Sequence, residues 1–300
     1  MTKQNKRSIL SYLIIAAILQ IVWGFVPSAS KFVIDEIPVE LYIAIRWSIS
    51  GLIFALYLIV SKTWKKVSLK DVAAVSCLGV LGYGLASLGT LYGLKVGGVT
   101  NFALMGALSP AITSVVAILV LKERPSRLFY IALPVSILGL SLLVIGKFQI
   151  SSLSIASLSA ALIVAAYFLE ALVFVFSKKF KSSMSAAQYL AIAQIATALL
   201  MWILQLTSFH QLESVHNLTM TGISAMIFVS VVACVLCYAV LYWLLNHIDG
   251  HRLALFDGFH TLSATIFGIL LFNEKTGPLM LIGGILILFG LIAGNLPERT

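Results

Sequence analysis

The hydrophobic residues of this chain fall into about ten long apolar stretches, separated by short polar connections. Each stretch has roughly 20 residues, and an α-helix of that length crosses a hydrocarbon core about 30 Å thick. The connections are too short to hold an appended soluble domain. The pattern therefore predicts membrane-spanning helices at approximately 11–33, 38–60, 70–92, 98–121, 127–146, 156–177, 185–206, 220–244, 252–272 and 278–295.

The pattern of spans occurs twice along the chain. The segment Gly98–Ala132 resembles Asp249–Gly283, which lies 151 positions later. The first two spans match the sixth and seventh at a shift of 147, which lays Tyr42 over Tyr189. Five is an odd number, so the second set of five spans must start from the opposite side of the membrane.

We therefore predict an all-α membrane protein with ten transmembrane helices, arranged as two inverted five-helix repeats. The first repeat is expected at 1–146 and the second at 156–300, with a polar hinge between them. Inverted repeats of this kind are a recurring architecture of secondary transporters. The repeat thus favours a transport function before any single residue is considered.

Composition and charge agree with a membrane location. Hydrophobic residues make up 60% of the chain and charged residues only 10%, whereas soluble domains have about 25% charged residues. The net charge is +9, which at first suggests a nucleic-acid partner. If the N-terminus is cytoplasmic, however, the cytoplasmic ends hold Lys3, Lys6, Arg7, Lys62, Lys65, Lys66, Lys70, Lys122, Arg124, Arg127, Lys178, Lys179, Lys181, Arg252 and Arg299.

The opposite ends hold only Lys31, Lys95, Lys147 and Lys275, and Arg46 lies within a span. An excess of Lys and Arg on the cytoplasmic side is the usual bias of membrane proteins. We therefore expect both termini in the cytoplasm. The basic charge then reflects membrane topology, and no nucleic-acid partner is expected.

Short motifs along the chain resemble those of a known family. In chain order they are Trp23-Gly24 with Lys31 eight positions after the tryptophan, Arg46-Trp47, Tyr92-Gly-Leu-Lys95, Asn101 through Leu108-Ser109-Pro110, and Leu121-Lys-Glu-Arg124. Together they resemble an EamA-type member of the drug/metabolite transporter superfamily. The resemblance implies a ten-helix carrier of the bacterial inner membrane, often an exporter of amino acids or other small metabolites, with its substrate cavity between the two halves.

Glu170 is the strongest candidate for a functional charge. It lies near the middle of the sixth span, where the repeat has Trp23 in the first half. A carboxylate at membrane depth costs about 2.5–3.5 kcal/mol, so it should face a cavity or a partner. Glu170 is interpreted either as a counter-charge or protonation site, or as a structural carboxylate paired with Arg46 or with hydroxyls.

Asp257 and His260 are three residues apart in the ninth span and share a helix face. Because histidine titrates near neutrality, the pair could form a proton relay. The alternatives are a satisfied internal hydrogen-bonded pair and a position of Asp257 at a cytoplasmic vestibule. Arg46 is expected to clamp helices, with binding of an anionic substrate as the alternative.

The predicted substrate-binding residues are Gln20, Trp23, Tyr83, Ser109, Tyr167, Glu170 and Tyr238. The residues predicted for proton coupling are Glu170, Asp257 and His260.

These features predict a secondary transporter of a small metabolite, an amino acid or a related compound, that works by proton-coupled export. Uptake of a cationic or zwitterionic metabolite is the alternative, and an intramembrane enzyme is a more remote one. The sequence has no GxxxxGK[ST] loop, so ATP is not expected to drive the process. No metal or other cofactor is expected, and the predicted partners are the substrate and the lipid bilayer.

Overall fold

The computed structural model describes residues 3–106, 108–122, 127–145, 153–177, 180, 183–249, 253, 256–272 and 278–295. Within these residues all the regular secondary structure is helical, and short turns and extended connections join the helices. The helices are α1 Lys3–Trp23, α2 Val26–Ile34, α3 Val39–Val60, α4 Leu69–Gly79, α5 Ala86–Gly106, α6 Ser109–Leu121, α7 Arg127–Ile145, α8 Leu153–Ser177, α9 Ala186–Gln205, α10 Met220–Ile227, α11 Tyr238–Leu244, α12 Asp257–Phe272 and α13 Pro278–Asn295. A 3₁₀ segment, Leu206–Asn217, links α9 to α10.

The helices include six spans that are long and apolar enough to cross a membrane, counted over the described part of the chain. They are Leu10–Ile34, Val39–Val60, Leu69–Val96, Ala160–Ser177, Ala186–Gln205 and Met220–Leu244. Two shorter apolar helical stretches, Ala111–Leu121 and Arg127–Gly139, lie between them. Lipid offers no hydrogen-bond partners, so a spanning segment is helical because helices pair their own backbone groups. The chain is a multi-pass membrane protein.

The helix ends recur along the chain at the two shifts found in the sequence. Helix α3 begins at Val39 and α9 at Ala186, 147 residues later. Helix α4 begins at Leu69 and α10 at Met220, which is a shift of 151. The residues just before these two helices are Ser68 and Thr219, and each side chain caps its helix by accepting a backbone N–H. Helices α7 and α13, which begin at Arg127 and Pro278, repeat the 151-residue shift.

The two halves pack against each other through pairs of helices. Helix α3 packs on α9, and α7 packs on α13. These are the second span of one half on the second span of the other, and the fifth on the fifth. Helix α1 packs on α12, and its counterpart α8 packs on α6. If each of these helices is replaced by its counterpart in the other half, the same helix pairs result.

Helices α7 and α13 approach closely at two glycines. A Cβ on Gly139 would lie 2.7 Å from the carbonyl oxygen of Gly283 and 2.8 Å from the Ile287 nitrogen. A Cβ on Gly290 would lie 2.7 Å from the carbonyl oxygen of Ala132. Gly139 and Gly290 are 151 residues apart, and so are Ala132 and Gly283. The two contacts are thus copies of each other, and their register shows that the helices run antiparallel.

The structure differs from the predicted spans between the third and the fourth. A turn was expected between 92 and 98, but α5 continues through these residues to Gly106, because a backbone without other partners in the membrane stays helical. Pro134 lies inside α7. Pro110, in contrast, is at the start of α6, where a proline removes no helical hydrogen bond.

Candidate functional site

Two π-helical segments lie at the centre of the bundle, one in each half. The first is Val80–Leu85, between α4 and α5, and the second is Phe228–Cys237, between α10 and α11. A π-helical turn changes the backbone hydrogen-bonding register, and such turns are frequent at functional sites. The change leaves backbone carbonyl groups that side chains of neighbouring helices can satisfy.

Each π-helical segment accepts a hydrogen bond from the same position of its repeat. The Trp47 indole nitrogen donates to the Tyr83 carbonyl oxygen at 2.9 Å. The Gln194 amide nitrogen donates to the Cys234 carbonyl oxygen at 3.3 Å. Trp47 and Gln194 are 147 residues apart, and Tyr83 and Cys234 are 151 apart. The two hydrogen bonds are therefore related by the repeat, although the donor side chains differ.

The second π-helical segment also binds side chains from the first half. The Trp23 indole nitrogen donates to the Ala233 carbonyl oxygen at 3.2 Å. The Ser50 hydroxyl lies 2.8 Å from the Cys234 carbonyl oxygen and 2.6 Å from the Gln194 side-chain oxygen. These contacts join α1, α3 and α9 to the second π-helical segment and fix the centre of the bundle.

A cluster of aromatic rings surrounds Tyr238, the first residue of α11. The Tyr238 ring centroid lies 5.2 Å from Trp23, 5.2 Å from Tyr83 and 5.8 Å from Trp47. All three ring pairs are edge-to-face, which is a favoured arrangement for aromatic side chains. The Tyr83 hydroxyl lies 2.8 Å from the Tyr242 hydroxyl. Both halves of the chain contribute to this ring cluster, which consists of Trp23, Trp47, Tyr83 and Tyr238.

Arg46 lies at the edge of the ring cluster, inside the bundle. Its guanidinium carbon is 4.7 Å from the Trp47 ring centroid and 5.2 Å from that of Tyr42. The guanidinium donates a hydrogen bond to the Ser87 hydroxyl, which joins α3 to α5. Only 8% of Arg46 is exposed. Its charge is therefore held by two ring faces and a hydroxyl rather than by solvent.

Glu170 is exposed, but it does not lie on the lipid-facing side of α8. Four residues that share the helix face of Glu170 are buried. They are Ile163, Ala166, Val173 and Ser177, at helical spacings of three, four and seven residues from it. Phe168, two residues away and thus on the opposite face, is exposed together with Leu158. Glu170 therefore lies on the face of α8 that packs against other helices.

The carboxylate of Glu170 belongs to the same region as the ring cluster. It lies within electrostatic range of the Tyr238 hydroxyl, and so does the Arg46 guanidinium. Three of the predicted substrate-binding residues thus lie together, since the Trp23 and Tyr83 rings each contact Tyr238. Glu170 is within electrostatic range of Tyr238. The sequence placed these residues on four different spans.

The remaining predicted residues lie around this region. His260 on α12 makes a hydrogen bond with the backbone of Trp23. Gln20, one turn before Trp23, is buried, and its carbonyl oxygen lies 3.4 Å from the Ser263 hydroxyl of α12. Tyr167 is buried one turn before Glu170. Ser109 is half-buried at the start of α6, and Asp257 begins α12, with its side chain outside the described residues.

Sequence reasoning missed three residues of this region. Trp47 was named only as part of the Arg46-Trp47 motif, and Ser50 and Gln194 were not considered. A signal for Gln194 was present, since it lies 147 residues after Trp47. Trp47 and Gln194 are different side chains at repeat-related positions, and each can donate a hydrogen bond. Such a pair indicates that the neighbouring helix of each half has an acceptor at the equivalent position.

Comparisons with known proteins agree with the repeat and the fold. The model of the EamA-like transporter family matches twice, over residues 10–145 and 157–295. No curated protein sequence matches the chain. Among solved structures 22 chains match, and one crystal structure superposes with a TM-score of 0.79 at 13% identity, over 95% of this chain and 98% of the other. At this identity the likeness concerns the fold alone. Because the two family matches cover most of the sequence, the chain belongs to the EamA-like transporter family.

Proposed function

We propose that this protein is a secondary transporter that exports a small metabolite, an amino acid or a related compound, in exchange for protons. The observation that carries the proposal is the exposed Glu170 carboxylate on the packed face of α8, within electrostatic range of Tyr238 in the ring cluster. A carboxylate inside a membrane protein marks a substrate or proton pathway. Glu170 belongs to the second matched repeat, and the ring cluster contains residues of both repeats. Transporters of this architecture bind their substrates at the interface between repeats.

The proposal includes ten transmembrane helices in two inverted repeats, 1–146 and 156–300. The paired contacts of Gly139 and Gly290 support it, because matching contacts on two copies are the signature of a two-fold axis. Since α7 and α13 are antiparallel, an axis that exchanges them is perpendicular to both helices. For helices that cross the membrane, such an axis lies in the membrane plane, and the two halves have opposite orientations.

For coupling we propose Glu170, with Asp257 and His260 as further proton-binding groups. The hydrogen bond between His260 and the Trp23 backbone supports the assignment, since it connects α12 to the ring cluster. A change in the charge of His260 would act directly on the end of α1. Export and uptake would use the same site: an inward proton gradient drives export when protons and solute are exchanged, and uptake when they move together.

Reconstitution of the full chain into lipid vesicles tests the proposed transport. Vesicles are loaded with a mixture of radiolabelled amino acids and amines, and an inward proton gradient is imposed. We expect efflux of at least one solute above that from protein-free vesicles, with loss of the gradient-driven part after addition of a protonophore. Efflux that is unchanged by the protonophore would contradict proton coupling, and no efflux of any solute would contradict transport of these classes.

The proposed orientation, with both termini cytoplasmic, predicts which loops are accessible from outside. Cysteine introduced at Asp35 or Glu213 should react with an impermeant thiol reagent on intact cells, whereas cysteine at Lys65 should react only after permeabilisation. All three residues are exposed, so accessibility to the reagent decides the result. Labelling is measured above the background of the native cysteines. Equal labelling of the three variants in intact cells would contradict the topology.

A further inference from the structure

We propose that the connection between α3 and α4 binds the headgroups of anionic phospholipids at the surface of the membrane. This lysine loop, residues 61–70, covers the connection and the start of α4 and contains Lys62, Lys65, Lys66 and Lys70. Its partner is the bilayer rather than the transported solute. The lysine loop combines a position at the membrane surface, a high positive charge and a fixed backbone.

The lysine loop lies where two lipid-facing helix surfaces end. At the end of α3, Val60 is 73% exposed, and at the start of α4, Leu69 is 82% exposed. Both residues belong to spans that are apolar enough to cross a membrane, so these exposed apolar side chains contact lipid. The polar residues between them therefore lie at the level of the lipid headgroups.

Trp64, in the middle of the lysine loop, is suited to the same level. It is 50% exposed, and tryptophan is enriched at membrane–water interfaces because its ring is apolar and its N–H is polar. Lysine side chains beside it can lay their apolar stems along the lipid and keep their ammonium groups among the headgroups. An exposed tryptophan among lysines thus favours a membrane surface over a soluble partner.

The charge of the lysine loop is high and exposed. All four lysines are exposed, and the one acidic residue within ten positions of the loop is Asp71, in the first turn of α4. Clusters of basic residues beside a membrane span attract anionic lipids. The repeat-related connection, residues 206–219, has no lysine or arginine and contains Glu213. The fold of such a connection therefore does not require the lysines.

Hydrogen bonds fix the backbone of the lysine loop. Lys62 has a left-handed φ of 53°, and the Thr63 N–H donates to the Leu58 carbonyl oxygen at 3.1 Å, which closes the end of α3. On α9, the Gln188 side chain accepts from the Lys65 N–H at 3.3 Å and donates to the Lys65 carbonyl oxygen at 2.8 Å. Lysines that only orient the chain during insertion need no fixed backbone, whereas a fixed backbone lowers the entropy cost of binding headgroups.

The fluorescence of Trp64 in the reconstituted full chain tests this contact. Phosphatidylcholine vesicles receive the same small fraction of either brominated phosphatidylglycerol or brominated phosphatidylcholine, since bromine quenches a tryptophan that it touches. The contribution of Trp64 is the difference between the wild type and Trp64→Phe. We expect stronger quenching of Trp64 by the phosphatidylglycerol, and this preference should fall as the salt concentration rises. Equal quenching by the two lipids at low salt would overturn the proposal.

Variants of the lysines show whether their charge causes the preference. A single Lys66→Gln change should lower the preference for the anionic lipid about fivefold, and glutamine at all four positions should abolish it. Arginine at the same four positions keeps the charge and should retain the preference. Lys95→Gln is the matched control, because Lys95 is an exposed lysine on α5 outside the loop. A preference that persists in the fourfold glutamine variant, or that is lost in Lys95→Gln, would contradict binding at the lysine loop.

Discussion

Replacing Glu170 with glutamine is expected to lower gradient-driven flux roughly 10- to 100-fold. The substitution keeps the size of the side chain and removes the accessible charge from the inner face of α8. A hydrogen bond to a charged group contributes about 1.5–3 kcal/mol, and each 1.4 kcal/mol corresponds to about tenfold in affinity. The measurement is efflux of the transported solute from loaded proteoliposomes, together with its affinity in detergent.

Binding and flux together assign the role of Glu170. If Glu170 is the counter-charge of the solute, Glu170→Gln loses affinity and both gradient-driven flux and solute exchange fall. If it carries only the coupling proton, gradient-driven flux is lost while exchange at equal pH remains. Asp257→Asn, measured in parallel, shows whether Asp257 or Glu170 carries the coupling proton. Glu213→Gln is the control, because Glu213 is an exposed carboxylate on the 3₁₀ segment. Wild-type flux and affinity in Glu170→Gln would refute the proposed site.

Substitution of Gly139 or Gly290 with alanine is expected to destabilise the protein by a similar amount at both positions. A Cβ at either glycine would lie 2.7 Å from a backbone carbonyl oxygen of the partner helix, so α7 and α13 must move apart. Overpacking of this kind costs about 1–3 kcal/mol. Thermal unfolding of the purified protein in detergent measures the loss of stability.

Gly284, on α13 itself, provides the matched control. A Cβ there would meet only the end of the flexible Leu262 side chain, at 3.3 Å. Alanine also has a higher helix propensity than glycine, by about 1 kcal/mol. Gly284→Ala should therefore unfold at or above the wild-type temperature. Unequal losses at Gly139 and Gly290 would contradict the two-fold relation between the helices, and no loss at either would contradict their close approach.

Several helix ends were predicted closely from sequence. The spans expected at 38–60, 127–146, 220–244 and 278–295 match helices that begin at Val39, Arg127, Met220 and Pro278. These ends could be predicted because polar or proline residues adjoin long apolar runs, and capping residues such as Thr219 favour a helix start. The 147- and 151-residue shifts were likewise readable, since they depend on spacing alone.

The interior of the site was less predictable. No residue pattern marks a π-helical segment, because its altered hydrogen bonding depends on donors such as Trp47 and Gln194 from other helices. The central position of Tyr238 follows from the meeting of four elements, which helical spacing within one span does not reveal. The inner orientation of Glu170 was expected only from the cost of a charge in lipid, and the burial of its neighbours gives it geometric support.

The pairing of α3 with α9 has a consequence for the synthesis of the protein. Helix α3 begins at Val39 and its partner at Ala186, so the ribosome must add 147 residues before the two can meet. At about 5–20 residues per second this takes roughly 7–30 s. Throughout that interval the face of α3 with Ser48 and Ser50 lacks its α9 partners Trp202 and Gln194. The newly inserted first half therefore exists for several seconds without the helix that bonds these two hydroxyls in the final fold.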